Sequence, residues 1–197
     1  MDAFWTAGEA AFRRAAREHF GREDGRGLPP APEVPPELGL GGWAAVAEEA
    51  SFRDPKRGRA MAPPPGGTAP LGPAAAAVLD CSRLAGTADH VLAAGIRAAR
   101  VQGAFSSSLM GCREIQESLA GLVSGAELMR LGACRLCRLL ERSEGERAEA
   151  EAFRLLAGAQ ALAGEVRAVA LSLLGAAWVA ENLPEDEIAP SYERTTR

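Results

Sequence analysis

The chain has 197 residues, a formal charge of −4, 47% apolar residues and only 5% aromatic ones. That length suits one domain or two small ones, with a core built from Ala, Leu and Val. The arginines are interleaved with Glu and Ala rather than gathered into a block, so nothing argues for a nucleic-acid partner, and Ala heads the helix propensity scale, so an almost entirely α-helical protein is expected.

The first predicted helix runs from about Ala3 to Phe20. Phe4, Ala11, Phe12 and Ala15 lie on one broad face, with Arg13, Arg14 and Arg17 opposite. Gly21 ends it. Leu28 to Pro36 cannot be helical, because five prolines remove donors and fix φ. A second helix is expected from Gly41 or Gly42 to about Phe52, ended by Asp54-Pro55, since the residue before proline disfavours the α region. A proline- and glycine-rich segment, Met61-Ala-Pro-Pro-Pro-Gly-Gly-Thr-Ala-Pro-Leu-Gly-Pro73, then separates two helix-rich pieces.

Three longer helices follow. The first spans roughly Ala74 to Gln102. The second starts near Ser107 or Ser108, as a side-chain cap, and runs to about Arg142. Its apolar positions (Ile115, Leu119, Leu122, Ala126, Met129, Ala133, Leu136, Leu140) step by four and three, the seam of a helix in a bundle. Ser143-Glu-Gly-Glu146 turns the chain. The third helix continues the pattern from Ala152 through Leu156, Ala159, Ala163, Val166, Ala170 and Leu173 to Ala177, and Gly132, Gly158 and Gly164 imply close helix approach. The expected domains are a helical segment at 1–60, the linker at 61–73, a bundle at 74–182 and an irregular tail at 183–197.

Other features argue for ordinary chemistry. Cys134-Arg-Leu-Cys137 falls inside a helical pattern with no second pair or neighbouring His, so no metal site is expected. His19 and His90 stand on separate helices and read as structural or surface residues. The N-terminus lacks a cationic region leading into an apolar run. The apolar stretch from Val166 to Ala180 is interrupted by Arg167 and is too short to cross a bilayer. A cytoplasmic location with reduced thiols and no membrane association is therefore expected.

Glu37-Leu-Gly-Leu-Gly-Gly42, Val46-Ala-Glu-Glu-Ala50 and Arg53-Asp-Pro55, read in that order, resemble the segment of acyl-CoA dehydrogenases that precedes their β-domain. Ala94 to Gln102 and Glu114-Ile-Gln-Glu-Ser-Leu-Ala120 are similar to the start of that family's C-terminal bundle, with its Arg-x-Gln-Phe-Gly and Gln-x-x-Leu-Ala signatures. Leu173-Leu-Gly-Ala-Ala-Trp178 stands where the family has a Gln-x-x-Gly-Gly-x-Gly motif. The likeness is colinear over nearly the whole chain, interrupted where the family carries its β-domain. It implies an all-α antiparallel helix bundle, acyl-CoA dehydrogenase C-terminal-like, with a small N-terminal helical segment and no β-domain.

The same resemblance implies the candidate site. Arg100 and Gln102 match the residues that reach the FAD of a neighbouring subunit, and a guanidinium fork suits a pyrophosphate. Gly175 matches a glycine that lets backbone approach the cofactor, although Ala176, Ala177 and Trp178 depart from the motif. Glu193, in Tyr192-Glu-Arg-Thr195, resembles the family's catalytic base, which removes the α-proton of an acyl thioester while flavin takes the hydride. Arg194 stands where that motif has glycine. FAD is thus expected only in a complex. The expected partner is an acyl-CoA dehydrogenase-like chain, in a homo- or hetero-oligomer, and the substrate an acyl-CoA or acyl-carrier-protein thioester. The alternatives are a non-catalytic helical binding or scaffold protein derived from that family, and a reduced flavoenzyme using Glu193.

Overall fold

The computed structural model describes residues 7–21, 32, 34, 39–56, 72–104 and 107–184. Six α-helices fill nearly all of it: α1 (Ala7–Gly21), α2 (Gly39–Arg53), α3 (Pro73–Val101), α4 (Arg113–Glu141), α5 (Gly145–Leu174) and α6 (Ala176–Asn182). The linker expected at 61–73 and the tail expected at 183–197 lie mostly outside the described residues.

α3 is the central helix. Pro73 opens it at the first turn, where a missing N–H costs nothing. Its sides pack against α2, α4 and α5, while α1 packs on α2 and the short α6 on α5. The three long helices form the expected all-α antiparallel bundle. Buried Ala, Leu and Val dominate the interior, among them Ala77, Val78, Ala88, Val91, Leu122, Leu136 and Val166. The predicted seam of α4 is buried from Leu119 to Leu136, with Ile115 and Leu140 half-buried at its ends.

Several expectations shift by a turn or a face. Ser108 caps a single 3-10 turn, Leu109–Gly111, through its hydroxyl and the Met110 N–H, and Ser107–Ser108 pair antiparallel with Gly103–Ala104. α4 therefore begins five residues later than the predicted cap, at Arg113. The long third bundle helix also stops early. Gly175 adopts φ +87° and breaks it from α6, leaving Ala177 exposed rather than on the seam. α6 then folds back so that Trp178 stacks on His90 and Leu183 is buried.

The glycines divide into those that set helix spacing and those that do not. A Cβ on Gly132 would lie 2.2 Å from Leu155 Cδ1, as close approach requires, but one on Gly158 would make ordinary contact and one on Gly164 would meet nothing within 4 Å. The tightest approach is at Gly86 on α3, where a Cβ would fall 2.1 Å from the carbonyl oxygen of Glu48 on α2. Backbone meets backbone there, and only glycine permits it.

The α4–α5 turn closes by a Schellman pattern: Glu144 N–H donates to the Leu139 carbonyl and Ser143 N–H to that of Leu140. Its left-handed position, φ 58°, is held by Ser143, not by the nearby Gly145.

Candidate functional site

The resemblance places cofactor contacts at Arg100, Gln102 and Gly175, and the topology brings all three to one end of the bundle. Gly95 of α3 packs against Leu119 of α4 and Leu173 of α5, which puts these residues at one level. Arg100 and Gln102 lie beyond Gly95 on the same side of that level as Gly175 beyond Leu173. Arg100 and Gln102 are exposed, and Val101 between them is 86% exposed.

Local bonds hold this end in place. The Gln102 N–H donates to the Ala98 carbonyl, its own carbonyl accepts from Leu109 N–H at 3.1 Å, and Ser108 Oγ donates to Ala99 O at 2.7 Å. Gln116, from the Gln-x-x-Leu-Ala-like stretch, donates to Met110 O at 2.8 Å. The Gln102 backbone is thus occupied while its amide side chain faces outward. A guanidinium and a carboxamide can donate to an anionic group such as a pyrophosphate, while Gly175, whose N–H donates to the Ala170 carbonyl at 3.2 Å, has open space beside it. Gly175 has a second reason to be glycine, because its positive φ is strained for any residue with a Cβ.

Glu193, the predicted base, lies outside the described residues. Among the described residues no group of three or more His, Cys, Asp and Glu could hold a metal ion, and no helix is long and apolar enough to cross a membrane. Cys134 and Cys137 are buried helix residues. Burial pushes the Cys81 thiol up to about 12, so it is a poor nucleophile.

The strongest electrostatic feature escaped the sequence reading. Arg13, placed opposite the apolar face of the first helix, is 4% exposed, while Ala11 and Ala15 of that predicted face are exposed. Ala10, Arg13, Ala16 and Phe20 form the face that is buried. Arg13 donates to Glu48 on α2, whose Oε1 also accepts from Arg130 Nε of α4 at 2.8 Å. Arg130 reaches on to Asp89 of α3 and to Glu127 at 2.8 Å. Glu49 accepts from Arg17 at 2.8 Å and faces Arg13 at 3.6 Å.

One buried network therefore crosses four helices. Burial raises the Glu48 carboxyl above its usual range, against the pull of Arg130 and Arg13. The same competition, also led by burial, raises Asp89. With both carboxylates of the Glu48-Glu49 pair closed off from solvent and engaged by arginines, these residues set helix register; they are not open to a substrate. A signal did exist: Glu48 and Glu49 follow the uncharged run Gly39-Leu-Gly-Gly-Trp-Ala-Ala-Val-Ala47, and two adjacent glutamates in so apolar a helix demand cations from elsewhere once it is buried.

His90 has a structural role as expected. Its Nδ1 bonds the Phe52 carbonyl at 2.7 Å and its ring stacks on Trp178 at 5.6 Å, while Lys56 donates to the Ala180 carbonyl. This seam ties the end of α2 to α3 and α6. No family model, no curated protein and no solved structure matches this chain.

Proposed function

We propose that this chain is an acyl-CoA dehydrogenase-like helical subunit of a flavin-dependent complex that desaturates an acyl thioester. A full-length partner would supply the β-domain, most of the flavin site and the base. The observation that carries the reading is the placement of exposed Arg100 and Gln102 at the same end of an all-α bundle as Gly175. It provides donors for one edge of an anionic cofactor and no enclosure, as a half-site completed by another chain would. The colinear motifs flanking a missing β-domain support the same ancestry, and Val101 adds exposed apolar surface where a partner would cover it.

A second reading, a non-catalytic helical binding or scaffold protein, is favoured by the commitment of Glu48, Glu49, Arg13 and Arg130 to the frame. Co-purification with a full-length dehydrogenase-like chain from the same host separates the two. The first reading expects a complex with flavin absorbance that Arg100→Ala bleaches while leaving the helical content intact. A stable but colourless complex, or no complex, would refute it and leave the scaffold.

A further inference from the structure

The α4–α5 hairpin carries an open groove of about 820 Å³, at the end of the bundle opposite to Arg100 and Gly175. Its walls present Arg135 and Arg138 from α4, Arg142 just past its end, and Arg147 and Arg154 from α5. Only Glu144 and Glu151 offset them within the lining. This local excess of positive charge sits on a chain whose net charge is −4. Leu131, Leu139 and Leu155 contribute apolar surface between the walls, and Leu128 at the far end is 62% exposed.

The arrangement of the arginines says what fits. The antiparallel pairing of Gly132 with Leu155, and of Arg135 with Glu151 at 3.3 Å, sets the level of each residue along the hairpin. At 1.5 Å per residue the five guanidinium groups are strung over roughly 14 Å of the axis, about one turn apart along the α4 wall and about two along the α5 wall. Glu151 lies between Arg135 and Arg154, bonded to the first and 3.6 Å from the second. A compact anion needs donors converging on one point, and here a carboxylate interrupts the middle of the row. A helix laid along the groove meets Arg135, Arg138 and Arg142 with acids at three- and four-residue spacing, and sets apolar residues on Leu128 and Leu131.

We infer that this groove docks an acidic amphipathic helix of a partner protein. The charge is complementary, the spacing is helical, and the exposed leucine provides the apolar anchor. The inference is independent of the flavin reading, because it concerns the other end of the bundle and needs no cofactor.

The test uses the full chain and a labelled synthetic helix with Leu on one face and Glu flanking it, followed by fluorescence anisotropy. A sequence-matched peptide with Lys for Glu serves as control. The acidic peptide should bind, weaken with added salt, and lose about tenfold or more in affinity to Arg147→Glu/Arg154→Glu, since reversed rim charges repel it. Leu128→Ser should weaken binding without changing the salt dependence. Both variants are on exposed positions, and circular dichroism verifies their helicity. Equal binding of the two peptides, or indifference to Arg147→Glu/Arg154→Glu, overturns the inference. Displacement by inorganic tripolyphosphate binding at the same arginines, with Leu128→Ser silent, would make this a small-anion site and also overturn it. So would concentration-dependent dimerisation abolished by Arg147→Glu/Arg154→Glu, which would seat a second copy there.

Discussion

Gly86→Ala offers the sharpest test of how this fold is held together. On a helix, Gly→Ala normally stabilises by about 1 kcal/mol, through lower backbone entropy in the unfolded chain. At Gly86 the new methyl would lie 2.1 Å from the Glu48 carbonyl oxygen and 3.0 Å from the Phe52 nitrogen, both backbone atoms of α2. α2 would have to retreat by about 0.9 Å before the first contact reached even 3.0 Å, a shift of the overpacking class that costs up to about 3 kcal/mol. That retreat would also stretch the Arg130–Glu48 bond and the Phe52–His90 bond, so the upper end of the range applies. The net expectation is a loss of about 2 kcal/mol, or roughly 4–8 °C in Tm for a chain of this size. Gly164→Ala is the internal control, because its methyl meets nothing within 4 Å. It should gain about 0.5–1 kcal/mol. Thermal and urea unfolding of both variants against the parent give the comparison. If Gly86→Ala matches Gly164→Ala in sign, α2 and α3 do not meet backbone to backbone and the packing argument fails.

Ser143→Gly should stabilise by about 1 kcal/mol in urea unfolding, since it relieves a left-handed residue at φ 58°. Arg130→Met should cost about 3 kcal/mol, because it strands Glu48 beside a single remaining arginine. Arg17→Met, whose guanidinium is largely solvated, should cost no more than about 1 kcal/mol; similar losses in urea would refute the assignment of the network to α4. Burial lowers the His90 pKa below its usual value, with Arg97 acting in the same direction, against the Phe52 hydrogen bond and Asp54. Its stabilising contribution is therefore present above the unfolded value of about 6.5 and is lost as pH falls through the folded one, by at most about 1.4 kcal/mol per pH unit. Glu48 and Asp89, with raised values, work the other way: their contributions are present at low pH and lost as pH rises. His90→Gln should flatten the acid-side loss expected of the parent, and an unchanged pH profile of Tm would count against the buried-imidazole account.

The candidate site was legible unevenly. Arg100 and Gln102 were named from the resemblance alone, and their place at the same end of the bundle as Gly175 needed the packing of α3, α4 and α5. The groove arginines were visible as letters, yet Arg135 and Arg154 are nineteen residues apart and share a wall-to-wall space only because the hairpin folds at Ser143. Arg13 was misplaced because helical periodicity sorts residues by polarity. A buried cation is indistinguishable from a solvated one until its acid is found thirty-five residues away.

Local chemistry, readable in one dimension, determined the class of this protein. Alanine richness and four-three spacing produce long helices, and apolar stripes on α4 and α5 require a bundle. The tertiary structure decided which polar residues go inside, which glycine touches a neighbouring backbone, and where a helix breaks to fold back. Those outcomes depend on pairs of groups distant along the chain, whose energies exist only once the helices are in contact.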